Sequence, residues 1–456
     1  MTRTPEESGH NAGGRPVGSA RVPGAAAPQA PRPAHASAPV PAAGAVYGGP
    51  AATPGRRRRV LTLLVSALVL LGALGAGVAV QLTRDLPPST MTIDIGSTLR
   101  VPGKPADLPW PEVGSGEIMI EGLGRLAGFG AGPPKAIGSV AKVMTAYVVL
   151  RDHPLKGDQE GPSLTVTAED VADYEQRKAT NQSLVHVVEG AKLTQRDALE
   201  ALMLPSANNV ARQLAVWDAG SEAAFVDKMN AAADQLGMTD TEYSDPSGFL
   251  PTTVSTAADQ VVLGRAALRV PVFTEIVELP EATIPVAGQV RNYNDLLGEN
   301  GVFGIKTGST DQAGGCLLFA SRLTVGSRTL VLVGAVFNQP GRNTPEQLRA
   351  TNRAVRSLLT AVDRTVQQRR LLAAKPAGEV TTEWGASAPV SPAGPLDVVG
   401  WPGMPVRATV RTAAPAGRIA AGQEVGAVEA GGVRVKLRTD TAAAEPSLWW
   451  RLTRLD

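Results

Sequence analysis

The sequence predicts an α/β protein of the α+β type: an antiparallel sheet flanked by helices, with an all-helical subregion, a small C-terminal all-β domain and one N-terminal transmembrane helix. Three observations predict it. Residues 104–372 alternate helical and strand patterns around a local hairpin. Residues 373–456 break into short β-type runs between Gly- and Pro-containing turns. Residues 60–82 form an uncharged apolar run. A chain of 456 residues has room for all three parts.

Taken in order, residues 1–55 are mostly Ala, Pro, Gly and Ser. That composition cannot bury enough apolar surface to offset ordering entropy, so a disordered tail is expected. Residues 56–84 open with four arginines, Arg56 to Arg59, and continue into about 23 uncharged residues from Val60 to Leu82. About 20 such residues cross a bilayer as a helix. The arginines on one side, against the cancelling Arg84 and Asp85 on the other, place the N-terminus in the cytoplasm and the rest outside the cell membrane. A cleaved signal peptide competes with this reading, but its apolar core would span only about 7–15 residues. An uncleaved single-pass anchor is expected. Residues 85–103, polar and Pro-containing, read as a short stalk.

Within 104–372, AIGSVAKVMTAYVVLRD is apolar on nearly every side, as in a helix enclosed by the core. The stretch from Leu193 to Met238 reads as successive helices, capped by Thr194, broken at Pro205 and ended by Gly237. GGCLLFASRL and RTLVLVGAVFN, joined across Gly326 and Ser327, read as a β-hairpin. Residues 344–372 return to a helix, with Pro345 in its first turn. The runs VRATV, EVGAVEA and VRVKLRT in 373–456 read as a small sandwich.

Composition removes several function classes. The chain carries 44 Lys+Arg against 42 Asp+Glu, so no basic excess exists to neutralise phosphates and no nucleic acid is expected as partner. Cys316 is the only cysteine, which excludes a disulfide framework or a Cys-based zinc site within one chain. Four histidines, His10, His35, His153 and His186, make a His-rich metal centre unpromising.

Three short motifs carry chemistry. In Ser139-Val140-Ala141-Lys142, residues three apart share a helix face, so the amine reaches the hydroxyl. A serine is a poor nucleophile until a base takes its proton, and a desolvated lysine can be that base. Ser206-Ala207-Asn208 follows Pro205 at a helix break, where a hydroxyl and an amide can face one cleft. Lys306-Thr307-Gly308-Ser309 enters the hairpin region. In a strand Lys306 and Gly308 share one face, so the missing side chain leaves room beside the ammonium, and the Thr307 hydroxyl suits a carboxylate. Singly, each has an ordinary structural explanation: a solvated helix face, an N-cap, a strand-edge lysine before a turn. Jointly, their order and settings are those of the signature of penicillin-binding proteins and class A β-lactamases.

With the connecting text SLVHVVEGAKLTQRDALEALMLPSANNVARQLA, FVDKMNAAADQLGMTDTEYSDPSGF and GIKTGSTDQAGGCLLFASR, residues 135–340 resemble the low-molecular-mass penicillin-binding proteins, serine-type D-Ala-D-Ala carboxypeptidases. The C-terminal stretch resembles the β-rich domain that follows the catalytic one in several members. The resemblance implies a β-lactamase/transpeptidase-like fold. It also implies an acyl-transfer cycle on peptidoglycan stem peptides, with Ser139 as nucleophile and Lys142 as base. Ser206 and Lys306 would pass a proton to the departing D-alanine, Asn208 would align the peptide and Thr307 would bind the terminal carboxylate. Gly308 and Ser309 would line the substrate site, the backbone N–H groups of Ser139 and Ser309 forming an oxyanion hole. β-Lactam antibiotics would acylate the same serine, and the resemblance implies no metal or organic cofactor.

The chain departs from the usual pattern in AIGSVAK, in Asp-Pro-Ser-Gly at 245–248, in Ser309, and in Tyr293 where some members place an arginine, which leaves Arg349 or a neighbour as a guess for that role. The rivals are a β-lactamase, a His-dependent serine hydrolase using His153 or His186, and a non-catalytic wall-binding or sensor protein of the same fold.

Overall fold

The computed structural model describes residues 55–105 and 107–455; the tail expected at 1–55 therefore lies, Gly55 aside, outside the described residues. Helix α1, Arg56–Thr83, runs for 28 residues without a buried side chain. Apolar side chains on all sides, none of them buried among the described residues, make it a candidate membrane span.

The helices beyond it, in chain order, are α2 (Lys142–Asp152), α3 (Ala168–Ala179), α4 (Gln195–Met203), α5 (Asn208–Ala219), α6 (Glu222–Leu236), α7 (Ala257–Ala267), α8 (Pro271–Glu278), α9 (Thr344–Thr365) and the short α10 (Leu448–Thr453). Their ends follow local chemistry. Thr194 and Asp197 form a capping box at the start of α4. Gly237, left-handed at φ 74°, closes α6. Pro205 lies in the break between α4 and α5.

A five-stranded antiparallel sheet forms the middle layer, in the order Val302–Thr310, Gly314–Val325, Arg328–Gln339, Ser115–Ile120, Gly124–Phe129. Alternate residues of one strand feed two cores, as the period of two requires. Leu318, Ala320, Val333 and Ala335 face α2 and the helical subregion α4–α8. Leu317, Phe319, Leu332 and Val336 face Val355, Leu358 and Val362 of α9. The α+β fold that the sequence predicts is the one found.

Three expectations change. The segment read as a stalk is not a free tether: Thr90–Ile93 pairs with Gly378–Thr381, and Thr98–Arg100 pairs with Pro405–Thr412. These segments become the two edges of a seven-stranded C-terminal sheet, with Met91, Ile93 and Leu99 packed on its core. The helix expected to run to 372 ends at Thr365, where Val366 turns extended. Gln367–Leu372 is instead a strand paired with Leu396–Gly400. The region read as all-β also contains α10, capped by Ser447.

Candidate active site

Ser139 sits in a 3₁₀ turn, Gly138–Ala141, that leads into α2, and Lys142 is the first residue of that helix. In a 3₁₀ turn residues i and i+3 eclipse, so the two side chains stack, with Lys142 Nζ 2.9 Å from Ser139 Oγ. Lys142 is 0% exposed among apolar neighbours of α2. Burial, followed by the positive charges of Lys306 and Arg177, holds its pKa well below the ordinary lysine range, while Asp245 opposes the shift.

Lys142 Nζ makes three hydrogen-bond contacts, which an ammonium meets with three N–H donors and a neutral amine with two donors and one lone pair. Lys142 Nζ donates to Asn208 Oδ1 at 2.6 Å and to the Ser247 carbonyl at 2.9 Å, and both of these only accept. An ammonium donates to Ser139 Oγ as well, whereas the neutral amine that burial favours keeps its two protons for Asn208 and Ser247 and turns its lone pair to the Ser139 hydroxyl.

Asn208 opens α5, but the helix is capped at Ala207 without a side-chain bond. The ordinary N-cap explanation of this motif therefore fails. Ser206 is left-handed at φ 67°, 4% exposed, and its Oγ has no partner among the described residues. A buried hydroxyl left unpaired on strained backbone is available to a group that enters the groove.

The opposite wall is the strand Val302–Thr310. Lys306 is 2% exposed, and burial brings its pKa down to about 7. Thr307, Gly308, Ser309, Ser139, Ser206 and Asn208 line one groove of about 550 Å³. The missing side chain at Gly308 makes room for backbone rather than for the ammonium: a Cβ there would stand 2.7 Å from the Ile137 carbonyl and 3.1 Å from the Val140 nitrogen. The strand thus lies against the nucleophile turn. Ser309 Oγ donates to Gln347 Oε1 and lies 3.1 Å from Thr344 Oγ1, whose hydroxyl can donate to it; both residues are on α9.

Sequence reasoning missed how the loop 245–250 presses on this turn. The Asp245 carboxylate accepts the Ser247 and Phe249 N–H groups and the hydroxyls of Ser247 and Thr253. That folds the loop so that its backbone carbonyls point at α2, Ser247 O at Lys142 and Pro246 O at Thr145 Oγ1, 2.6 Å away. Gly248, at φ 75°, passes so close that a Cβ would fall 1.9 Å from the Gly138 carbonyl. The motif Asp-Pro-Ser-Gly was visible; its carbonyl was not. Arg349 is exposed and absent from the groove lining, whereas Tyr293 and α9 residues Thr344 and Leu348 are there. His153 lies at the end of α2, bonded to Asp218 at 2.9 Å and packed on Trp217, and His186 is exposed against Tyr174. Neither lines the groove.

Residues 131–339 match the family model described as Peptidase S11, D-alanyl-D-alanine carboxypeptidase. A D-alanyl-D-alanine carboxypeptidase of Streptomyces sp. strain K15 is 33% identical over 215 residues, which are 43% of this chain and 71% of that protein. The chain belongs to the D-alanyl-D-alanine carboxypeptidase family. Members of this family are hydrolases that work through an acyl-enzyme and are inhibited by β-lactams. A D-alanyl-D-alanine endopeptidase of Pseudomonas aeruginosa is 34% identical over 208 residues, 44% of this chain but only 63% of that protein. Penicillin binding protein 5 from Haemophilus influenzae, at 21% identity, shares the fold with a TM-score of 0.52 over 75% of this chain and all of that one. The family match spans α2 to α8 and three of the five strands of the middle sheet.

Proposed function

We propose that this chain removes the terminal D-alanine from peptidoglycan stem pentapeptides, with Ser139 as nucleophile and Lys142 as its general base. The carrying observation is the 2.9 Å contact of Lys142 Nζ with Ser139 Oγ, beside two acceptors, Asn208 Oδ1 and the Ser247 carbonyl, that can hold both protons of a neutral amine. Ser139 Oγ attacks the carbonyl between the two D-alanines as its proton passes to Lys142. The backbone N–H groups of Ser139 and Ser309 hold the oxyanion. The unpartnered Ser206 hydroxyl, with Lys306 behind it, hands a proton to the leaving amine, and Thr307 takes the terminal carboxylate. Water then releases the acyl group. Asn208 both orients Lys142 and offers its amide edge to the peptide.

The anchor is α1, through residues 60–82, with the N-terminus in the cytoplasm and the groove outside the membrane, supported by the Arg56–Arg59 cluster. Likeness to a protein named as an endopeptidase favours one second reading, in which the scissile bond lies in a cross-link. Mass spectrometry after penicillin treatment tests the core assignment: a single adduct on Ser139, absent in Ser139→Ala, is expected. An adduct elsewhere, or none, overturns it. Release of free D-alanine from a pentapeptide, as against cleavage of a cross-linked dimer, separates the two substrates.

A further inference from the structure

Lys142 can present its lone pair to Ser139 only if Asn208 turns its oxygen, and not its NH2, toward the amine. The two ends of an amide have nearly the same shape, so sterics alone do not choose between them. Something beyond Asn208 must make the choice.

The chain of hydrogen bonds leads to Gln182, just past the end of α3. Asn208 Nδ2 donates to Gln182 Oε1 at 2.7 Å. The orientation of Gln182 is in turn decided by two independent neighbours. Thr180 Oγ1 spends its only proton on the Arg177 carbonyl at 2.9 Å, so it can only accept, and Gln182 Nε2 donates to it at 3.1 Å. Arg177 Nη1, which can only donate, lies 3.4 Å from Gln182 Oε1. Both place the Gln182 oxygen toward Asn208. Arg177 is itself held by Asp173 at 2.7 Å and lies 3.8 Å from Glu222. Asn181, left-handed at φ 52°, makes the turn that swings Gln182 to the groove, where Thr180, Gln182 and Ser183 form part of the lining. The Ser183 carbonyl then accepts the Asn208 backbone N–H at 2.8 Å, fixing the distance.

We propose that Gln182 is a positioning residue for acylation: through its Oε1 it holds Asn208 with Oδ1 toward Lys142, and so keeps the Lys142 lone pair on the Ser139 hydroxyl. This rests on the reading of Lys142 as the base for Ser139. Without an acceptor at 182, Asn208 is free to flip. Its NH2 would then face Lys142 and compete with Ser139 for the lone pair.

The test is a comparison of Gln182→Met and Gln182→Glu in the full chain, read by penicillin acylation rate and by D-alanine release. Met keeps the length and removes the acceptor. Glu keeps an acceptor for Asn208 and faces Arg177. Gln182→Met should lower the acylation rate and kcat on the order of tenfold, about the worth of one hydrogen bond that sets a geometry, with KM little changed. Gln182→Glu, compared at the maximum of its own pH–rate profile so that its added charge on Lys142 is allowed for, should recover most of the loss. In an Asn208→Asp background, where both oxygens accept and no flip exists, Gln182→Met should cost much less than in the wild type. The proposal is overturned if Gln182→Met acylates at the wild-type rate, if Gln182→Glu is as slow as Gln182→Met, or if the Met substitution costs the same in both backgrounds. A wild-type enzyme that takes no penicillin on Ser139 would instead overturn the underlying assignment, which sets the two failures apart.

Discussion

Two buried lysines stand behind residues that line the groove, close enough that the charge of Lys306 lowers the pKa of Lys142, and their amines are kept in opposite conditions. Lys142, at the start of α2, has three oxygens around its amine: Ser139 Oγ, Asn208 Oδ1 and the Ser247 carbonyl. Lys306, on the sheet, is equally desolvated, yet its amine makes no hydrogen bond or ion pair among the described residues. A saturated amine serves one neighbour. A bare one, its pKa brought to about 7 by burial, can take an anion or pass a proton. The difference teaches that burial alone does not define a catalytic lysine; the count of acceptors around it does.

The largest effect that could break this contrast is removal of the base. Lys142→Met should lower penicillin acylation and D-alanine release by roughly 10²–10⁴-fold, measured by adduct formation over time, with the folded state retained by circular dichroism. Acylation near the wild-type rate would mean that Lys142 is a structural residue.

Next is the loop that supplies its second acceptor. Gly248→Ala combines a left-handed φ of 75° with a Cβ 1.9 Å from the Gly138 carbonyl, so the loop and the nucleophile turn must part. A loss of about 1–3 kcal/mol in unfolding free energy, together with loss of acylation, is expected from denaturant titration and adduct assays. An unchanged variant would remove the Ser247 carbonyl from the account of Lys142.

The third concerns Lys306 as a charged group. With a pKa of about 7 it is protonated below that pH, so the free-enzyme kcat/KM should fall as pH rises through 7. Lys306→Arg should move that descending limb upward. The ascending limb belongs to Lys142, whose lowered pKa places it well on the acid side of an ordinary lysine. A limb near 7 that survives Lys306→Arg would assign it to another group.

The smallest effect is on stability. The folded pKa of Lys306 is depressed from 10.5, so between about 7 and 10.5 the unfolded chain binds more protons and stability rises with pH. Below pH 7 both states are charged and the full cost of burying the ammonium is present. Lys306→Met should therefore raise the melting temperature most at or below pH 7, and progressively less toward pH 10. A gain independent of pH would indicate packing rather than charge.

Much of this was legible in the chain. The hairpin around Gly326, the capping box at Thr194 and the helix end at Gly237 all follow from local rules, and the three motifs named the reactive groups. The spacing of Ser139 and Lys142 even survives the change from α-helix to 3₁₀ turn, because three residues return to the same face in both. The helix expected to run to 372 was not separable from a strand by pattern, since QQRRLL suits either period and only the partner Leu396–Gly400 decides it. Residues 90–100 looked like a tether because their strand partners lie about 300 positions away. Among the site residues, Gln182 and the Ser247 carbonyl carried no motif of their own.

By itself, then, the sequence determined which groups can react and how neighbours three or fewer positions apart face one another, since backbone geometry over that distance is nearly invariant. Only the tertiary structure decided that Lys142 meets an amide 66 residues away and a carbonyl 105 residues away. It also decided that glycines at 248 and 308 let two separate backbones close on the nucleophile turn. Those contacts depend on how whole layers pack, where a shift of one ångström would undo them, and no local pattern encodes that.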